Sequence, residues 1–290
     1  MIEYHVDDYG MFPAASRRII DCIENGCVNG ISLMPTGHSF AQCMEILEKE
    51  CNKPVRLSIH LNLITDRPLC DPKIIPDLVD EDGFFCVSYK KILLASLIPS
   101  KRKIFKEQIK NELWEQIKAC LPYLKEQGMV RLDSHRHIHM VPVVFEVLNE
   151  LVIEHELDVS YIRIIREKLY FYRHITRFEY FSPINVIKAV LLNYFGMIDR
   201  MRYRSLYEKG PDEFASILFS GHMTTSNLKL LLRNISMKRS DDKSEIELMF
   251  HPGAVLEEDD QVYIHDPEDR RYMADPMRIK EAEALKKKRK

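Results

Sequence analysis

Apolar residues along this chain alternate in short runs, and those runs are separated by longer stretches with a spacing near 3.6. Residues 1–6 form a β-prone run that stops at Asp7-Asp8-Tyr9-Gly10, after which Gly10-Met11-Phe12-Pro13 turns the chain. Over residues 14–25, Ile19, Ile20 and Ile23 lie opposite Arg17, Arg18, Asp21 and Glu24, which predicts an amphipathic helix stopped by Asn25-Gly26. A second strand is expected over 28–34 and a second helix over 40–49. The next run, 55–59, alternates and leads into His60-Leu61-Asn62-Leu63. This β-α-β-α-β order predicts a parallel sheet.

Residues 65–100 hold Pro68, Pro72, Pro76 and Asp82-Gly83, and are expected to be irregular and to cross a barrel mouth. Phe105, Ile109, Leu113, Ile117 and Leu121 recur every four residues and predict a helix over 104–124. Gly128-Met129-Val130-Arg131 reads as a short strand, 143–155 as a helix and 159–164 as a strand. A strand over 215–219, a helix over 227–235 and a strand over 246–250 complete the alternation. Residues 167–207 break it. From Arg166 to Arg204 the chain holds eight basic residues (Arg166, Lys168, Arg173, Arg177, Lys188, Arg200, Arg202, Arg204) against Glu167, Glu179 and Asp199. Such a basic, apolar segment can lie on a membrane surface, act as a lid, or pack as an inserted helical pair on its own barrel. Residues 268–290 form a charged tail, helical from about Pro276, and Lys287-Lys288-Arg289-Lys290 reads as a solvated end. With no internal repeat or low-complexity linker, one domain spanning 1–290 is the economical reading.

Composition narrows the class. A net charge of −2 and 30% charged residues argue against a nucleic-acid partner. Seven cysteines without a Cys-x-x-Cys pair favour reduced thiols in a cytoplasmic protein, membrane-associated if 167–207 meets a bilayer. The N-terminus shows no export-signal pattern. The most apolar window, 184–198, is too short for the ~20 apolar residues a spanning helix needs.

The chemistry concentrates in Asp133-Ser134-His135-Arg136-His137-Ile138-His139. On an extended backbone His135, His137 and His139 would share one side; on a helix His135 and His139 would share a face. In either case at least two imidazoles converge. Asp7 and Asp8, His60, and His251 in His251-Pro252-Gly253 also fall at or just past predicted strand ends, where α/β enzymes place their sites. Nitrogen and carboxylate donors with a separate acid or base are the requirements of a metal hydrolase. Other chemistries remain open to such a site. One is hydrolysis of a phosphoester or another amide, which would call for convergent cations where only Arg163 is evident; another is non-catalytic glycan or membrane binding.

Five motifs in order make the likeness specific: Val6-Asp7-Asp8-Tyr9-Gly10; Asn25-Gly26 through Ser32-Leu33-Met34; His60-Leu61-Asn62-Leu63; Asp133 to His139; and Glu247-Leu248-Met249-Phe250-His251-Pro252-Gly253. They resemble the motifs of the YdjC-like carbohydrate deacetylases, which include chitooligosaccharide and hopanoid-pathway deacetylases. The resemblance implies an α/β, distorted TIM-like (β/α) barrel of the polysaccharide-deacetylase kind, here with a helical insertion at 167–207. It implies one divalent ion, Zn²⁺ or Mg²⁺ with Mn²⁺ or Co²⁺ also compatible, held by Asp8, His60 and His135. Asp7 would then be the base, and His251 the acid or the group that orients Asp7. Asp133 would tune a histidine. His137 and His139 would contact substrate, brace a ligand or be satisfied structural rings, and Arg163 would bind a sugar or form an ion pair. The expected partner is an N-acetylated carbohydrate, met by a monomer or a homodimer. Family members usually continue past His-Pro-Gly with a helix and a further apolar strand. This chain has no such strand, so an incomplete barrel is expected.

Overall fold

A computed structural model describes residues 1–173, 182–238 and 244–286. The closing Lys287-Lys288-Arg289-Lys290 and residues 174–181 of the basic segment lie outside these. The chain runs β1 (Ile2–Tyr9), α1 (Pro13–Glu24), β2 (Gly30–Leu33), α2 (Phe40–Glu50), β3 (Arg56–Leu61), α3 (Tyr89–Leu97), α4 (Pro99–Cys120) and β4 (Val130–Ser134). It continues as α5 (Pro142–Glu154), β5 (Val159–Ile162), α6 (Pro183–Arg202), α7 (Arg204–Tyr207), β6 (Glu213–Ala215), α8 (Thr225–Lys238), β7 (Ile246–Phe250), α9 (Pro267–Ala274) and α10 (Met277–Leu285).

The seven strands form one parallel sheet in the order β5-β4-β3-β2-β1-β7-β6. β5 and β7 are far apart in that order, yet Arg163 Nε, just past β5, reaches Glu247 Oε1 on β7 at 2.7 Å. Such a contact requires the sheet to curl. An isolated parallel bridge, Glu167 to Phe214, joins the chain after β5 to β6. The distorted, open barrel expected from the sequence is therefore seen as a curled α/β sheet.

The strands carry apolar side chains on one face and polar ones on the other. Val6, Ile31, Leu33, Ile59, Leu132, Leu248 and Phe250 are buried in the apolar cluster shared with the helices. Glu3, His5, Asp7, Ser32, His60, Arg131, Asp133 and Glu247 are also buried, but they bond to one another or to Arg163 across the inside of the curl. Each fully buried aliphatic on the outer face contributes about 1.5–3 kcal/mol relative to exposure. That stabilisation offsets the cost of holding charged groups inside.

Pro13 opens α1, and Ile19, Ile20 and Ile23 form its buried stripe. On α4, Phe105, Ile109, Leu113 and Ile117 are buried at the predicted spacing of four. Its neighbouring stripe, Gln108, Glu112 and Gln116, holds the irregular segment that follows β3. Gln116 Oε1 accepts from Asn62 N at 2.8 Å, Glu112 accepts from Leu69 N and Cys70 N at 3.0 and 2.8 Å, and Gln108 accepts from Asp77 N at 2.8 Å. A loop without secondary structure is thus anchored through its own amides.

Several expectations need correction. β1 runs through Tyr9, so Asp7 and Asp8 belong to the strand instead of a following turn; its register with β2 shifts between Val6 and Tyr9. α3 and the start of α4 occupy part of the stretch expected to be irregular. β5 stops at Ile162, and β6 covers Glu213–Ala215 instead of 215–219. The tail becomes helical at Pro267, not near Pro276. The seven cysteines form no disulfide among the described residues. No described helix is long and apolar enough to cross a membrane.

Within the segment 167–207, α6 buries Ala189, Leu192 and Phe195 in the same apolar cluster. It also buries Asp199, whose carboxyl oxygens have no hydrogen-bond partner among the described residues. Burial raises the Asp199 pKa to about 8 despite the opposing influence of Arg202. The folded state therefore holds a proton that the unfolded chain releases near pH 3.8, and stability falls as pH rises from about 4 to about 8. Asp199→Asn is expected to raise the melting temperature, with the gain over wild type widening across that interval; calorimetric scans at several pH values check this.

Candidate functional site

The carboxyl ends of β1, β3 and β4 bring Asp8, His60 and His135 together. Asp8 sits at φ 66°, in the left-handed region, where the strand's register with β2 also shifts. This local kink at the strand end sends Asp7 and Asp8 to different partners. Asp8 Oδ1 lies 3.3 Å from His60 Nε2 and 3.0 Å from His135 Nδ1. The two imidazoles meet edge to face at 5.8 Å.

The histidine cluster is neither strand nor regular helix. Residues His135–Met140 form a 3₁₀ segment broken by Arg136 and His137 at φ 50° and 60°. The break separates the three rings. His135 faces Asp8, His137 lines the adjoining pocket, and His139 turns inward. Its Nδ1 bonds Ser134 Oγ at 2.5 Å and its Nε2 bonds the Arg163 carbonyl at 2.7 Å. His139 thus ties β4 to the end of β5, and burial lowers its pKa to about 4. Burial, with Arg163 next in weight, also holds His137 well below the usual imidazole range.

Asp133 Oδ1 bonds His60 Nδ1 at 2.6 Å, which leaves Nε2 as the His60 nitrogen facing Asp8. Burial opposes the charged form of His60, but Asp7 and Asp133 outweigh it and raise its pKa to about 10. Burial likewise opposes the His135 imidazolium, while Asp269 and Asp8 raise its pKa to about 9. This is a centre whose carboxylates favour positive charge.

The donor chemistry suits a cation. Ligand atoms of Asp8, His60 and His135 all lie within 4.8 Å of one another. Asp8 Oδ2 is buried with no hydrogen-bond partner among the described residues. Two imidazoles and a carboxylate are donors for zinc and are also compatible with magnesium, manganese or cobalt. These three residues could therefore hold a divalent ion. His5, Asp7 and Asp133 form an equally compact group. There, however, the Arg163 guanidinium already supplies the positive charge, at 2.7 Å from Asp7 and 3.1 Å from Asp133.

Of the two roles expected for Arg163, the ion pair is the one seen. Its side chain is fully buried and grips Asp7 with two bonds, Nη1–Oδ2 at 2.7 Å and Nη2–Oδ1 at 2.8 Å. Burial pushes the Asp7 pKa upward, but Arg163 and His60 hold it below its ordinary value, so Asp7 stays ionised. His251 follows β7, with Nε2 3.9 Å from Asp7 Oδ2 and Nδ1 3.1 Å from the Tyr272 hydroxyl. Burial depresses its pKa.

A pocket of about 360 Å³ opens over this centre. Asp7, Asp8, His135, His137 and His251 lie on it, with Asp269 and Tyr272 from α9, Ile184 and Lys188 from α6, and Tyr89 from α3. Asp269 and Tyr272 escaped the sequence reading. Asp269 Oδ2 lies 3.2 Å from His135 Nε2, and its other oxygen accepts from Arg136 at 2.7 Å. The available signal was Asp266-Pro267, a helix-opening pair: the Asp266 side chain accepts from the amides of Glu268 and Asp269.

Curled parallel sheet and acid–imidazole pocket together define an α/β barrel-like protein with its polar centre at the strands' carboxyl ends. The chain belongs to the YdjC-like protein family, whose model matches residues 3–289. It is 30% identical over 168 residues to a carbohydrate deacetylase of Clostridium beijerinckii, covering 57% of this chain and 62% of that protein. A carbohydrate deacetylase of Xenopus laevis is 30% identical over 157 residues, covering 53% and 48%. The matched stretch thus spans about half to three fifths of these relatives' length. Among solved structures, a candidate cellobiose-phosphate cleavage protein of Enterococcus faecalis V583 superposes with a TM-score of 0.65 at 21% identity, covering 99% of this chain and 90% of that one. The likeness is one of fold.

Arg163→Met would leave Asp7, Asp133 and Glu247 without their shared cation. It is expected to cost about 3–5 kcal/mol in urea unfolding, with Arg163→Lys recovering part of the loss.

Proposed function

We propose that this protein is a metal-dependent hydrolase that removes N-acetyl groups from an amino-sugar-containing carbohydrate, on a distorted barrel of the polysaccharide-deacetylase kind. The observation that carries the reading is the pairing of two sets of groups at one pocket: the compact donor set Asp8, His60 and His135, of which Asp8 and His135 line the pocket, with Asp7 and His251 also on its wall. The names of the curated relatives supply the substrate class.

When bound by Asp8, His60 and His135, a divalent ion supplies Lewis acidity toward an amide carbonyl and toward water. The protein's own groups manage the protons and the fit. Asp7, kept ionised by Arg163, accepts a proton from the attacking water. His251 lies 3.9 Å from Asp7, and its depressed pKa suits a group that passes a proton on instead of storing it. The proton is returned to the departing nitrogen as the C–N bond breaks, giving acetate and a free amine. Asp133 fixes the His60 ring so that Nε2 faces the centre, and Tyr272 does the same for His251 through Nδ1. Tyr89, Tyr272, Ile184 and Ile217 give the pocket apolar surfaces of the kind on which sugar rings pack, while Lys188, Arg136 and Ser220 offer donors for hydroxyls. The reading places the enzyme in the cytoplasm, where its cysteines stay reduced.

Purified protein is expected to release acetate from N-acetylated oligosaccharides when supplied with Zn²⁺, Mg²⁺ or Co²⁺, and to lose that activity to a chelator. Asp7→Asn should lower kcat by about 10²–10⁴-fold while metal content is retained. Asp8→Asn should lose the metal itself, as elemental analysis would record. Absence of acetate across a broad glycan panel with a metal-loaded protein would refute the assignment.

A further inference from the structure

The helix α6 carries an outward face that the catalytic reading does not use. Ile187, Val190, Tyr194, Met197 and Met201 recur at spacings of three and four, and are 62%, 67%, 54%, 52% and 72% exposed. No charged residue interrupts this stripe through about four turns of helix. Soluble proteins rarely leave so long an apolar strip facing water.

We propose that this face docks on an anionic lipid bilayer, with α6 lying along the membrane surface. Charge separates this occupant from a second copy of the chain. Exposed Lys188 flanks the stripe toward one end, and exposed Arg200 and Arg202 flank it at the other. Asp199, the helix's acid, is buried. Self-pairing in either direction therefore sets cations against cations, whereas anionic headgroups complement both ends.

Location adds a second line of support. Ile184 and Lys188, in the first turns of the same helix, line the pocket, so the stripe begins at the pocket rim. Another helix that leaves this rim, α3, starts at Tyr89 and exposes Leu94 and Leu97, with Lys90 and Lys91 exposed beside them. Docked by α6, the molecule would hold the rim of its pocket close to the headgroups. The docking claim stands apart from the hydrolytic assignment, because vesicle binding needs no turnover.

The test is co-sedimentation of the full chain with vesicles of phosphatidylcholine alone, or of phosphatidylcholine mixed with phosphatidylglycerol, with solution mass followed by light scattering. Binding to the mixed vesicles is expected to exceed that to the neutral ones by about tenfold and to weaken with salt. The double variant Val190→Glu with Met197→Glu, checked for folding by circular dichroism, should fall to the neutral-vesicle level. Ile153→Glu, at an exposed apolar position on α5, should bind like wild type. A wild-type protein that stays in solution with both vesicle types overturns the proposal. So does a wild-type dimer that the double variant splits into monomers, which would give the face to a second copy.

Discussion

A guanidinium enclosed by carboxylates is the interaction on which the rest of this structure depends. Arg163 bonds Asp7 and Glu247 and lies 3.1 Å from Asp133, so it links the strands β1, β4 and β7 from inside the curl. Most sheets of this kind fill their interior with branched aliphatics. Here the interior is ionic, and a half-satisfied ionic interior costs more than an apolar one. Glu3 with Arg131, His5 with Ser32, and Tyr161 with Glu247 continue the pairing away from the pocket. The result is that Asp7 is held ionised and doubly bonded by Arg163 before any ligand arrives.

From that rigid floor the site divides into two kinds of component. Strand ends furnish the acidic and imidazole groups, whose positions are set by sheet register: His60 lies opposite Asp133 in the β3–β4 pairing, and that pairing places their side chains 2.6 Å apart. Helices outside the sheet furnish the walls. α6 brings Ile184 and Lys188, and α9 brings Asp269 and Tyr272. Scaffold strands that fix chemistry and peripheral segments that shape the pocket are a common division of labour in α/β proteins.

Much of this was legible in the residue pattern, for physical reasons that also explain where it failed. Period-2 alternation located the strands, and the spacing of four located α4. Polar residues at strand ends singled out Asp7, Asp8, His135 and His251, which line one pocket, and His60, which lies against Asp8 beside it. The backbone of the histidine cluster was not legible, because Arg136 and His137 adopt a left-handed conformation that non-glycine residues seldom signal. β6 was misplaced because residues 215–219 are apolar enough for a strand, yet only Glu213–Ala215 pair with β7. Asp269 and Tyr272 were missed since a charged helical tail has the same composition whether it is solvated or folded back. Arg278 and Glu281, buried against the body of the protein, show that this one folds back.

The return of α9 has a temporal consequence. Asp8 leaves the ribosome early, whereas Asp269, which touches the same imidazole, follows only after some tens of seconds of translation at ordinary rates. Until then the wall that α9 gives the pocket is missing from the nascent polypeptide. Assembly of the pocket is therefore a late event in the life of each molecule, and a prematurely terminated chain would carry the donors for a cation without the enclosure that limits what else can reach them.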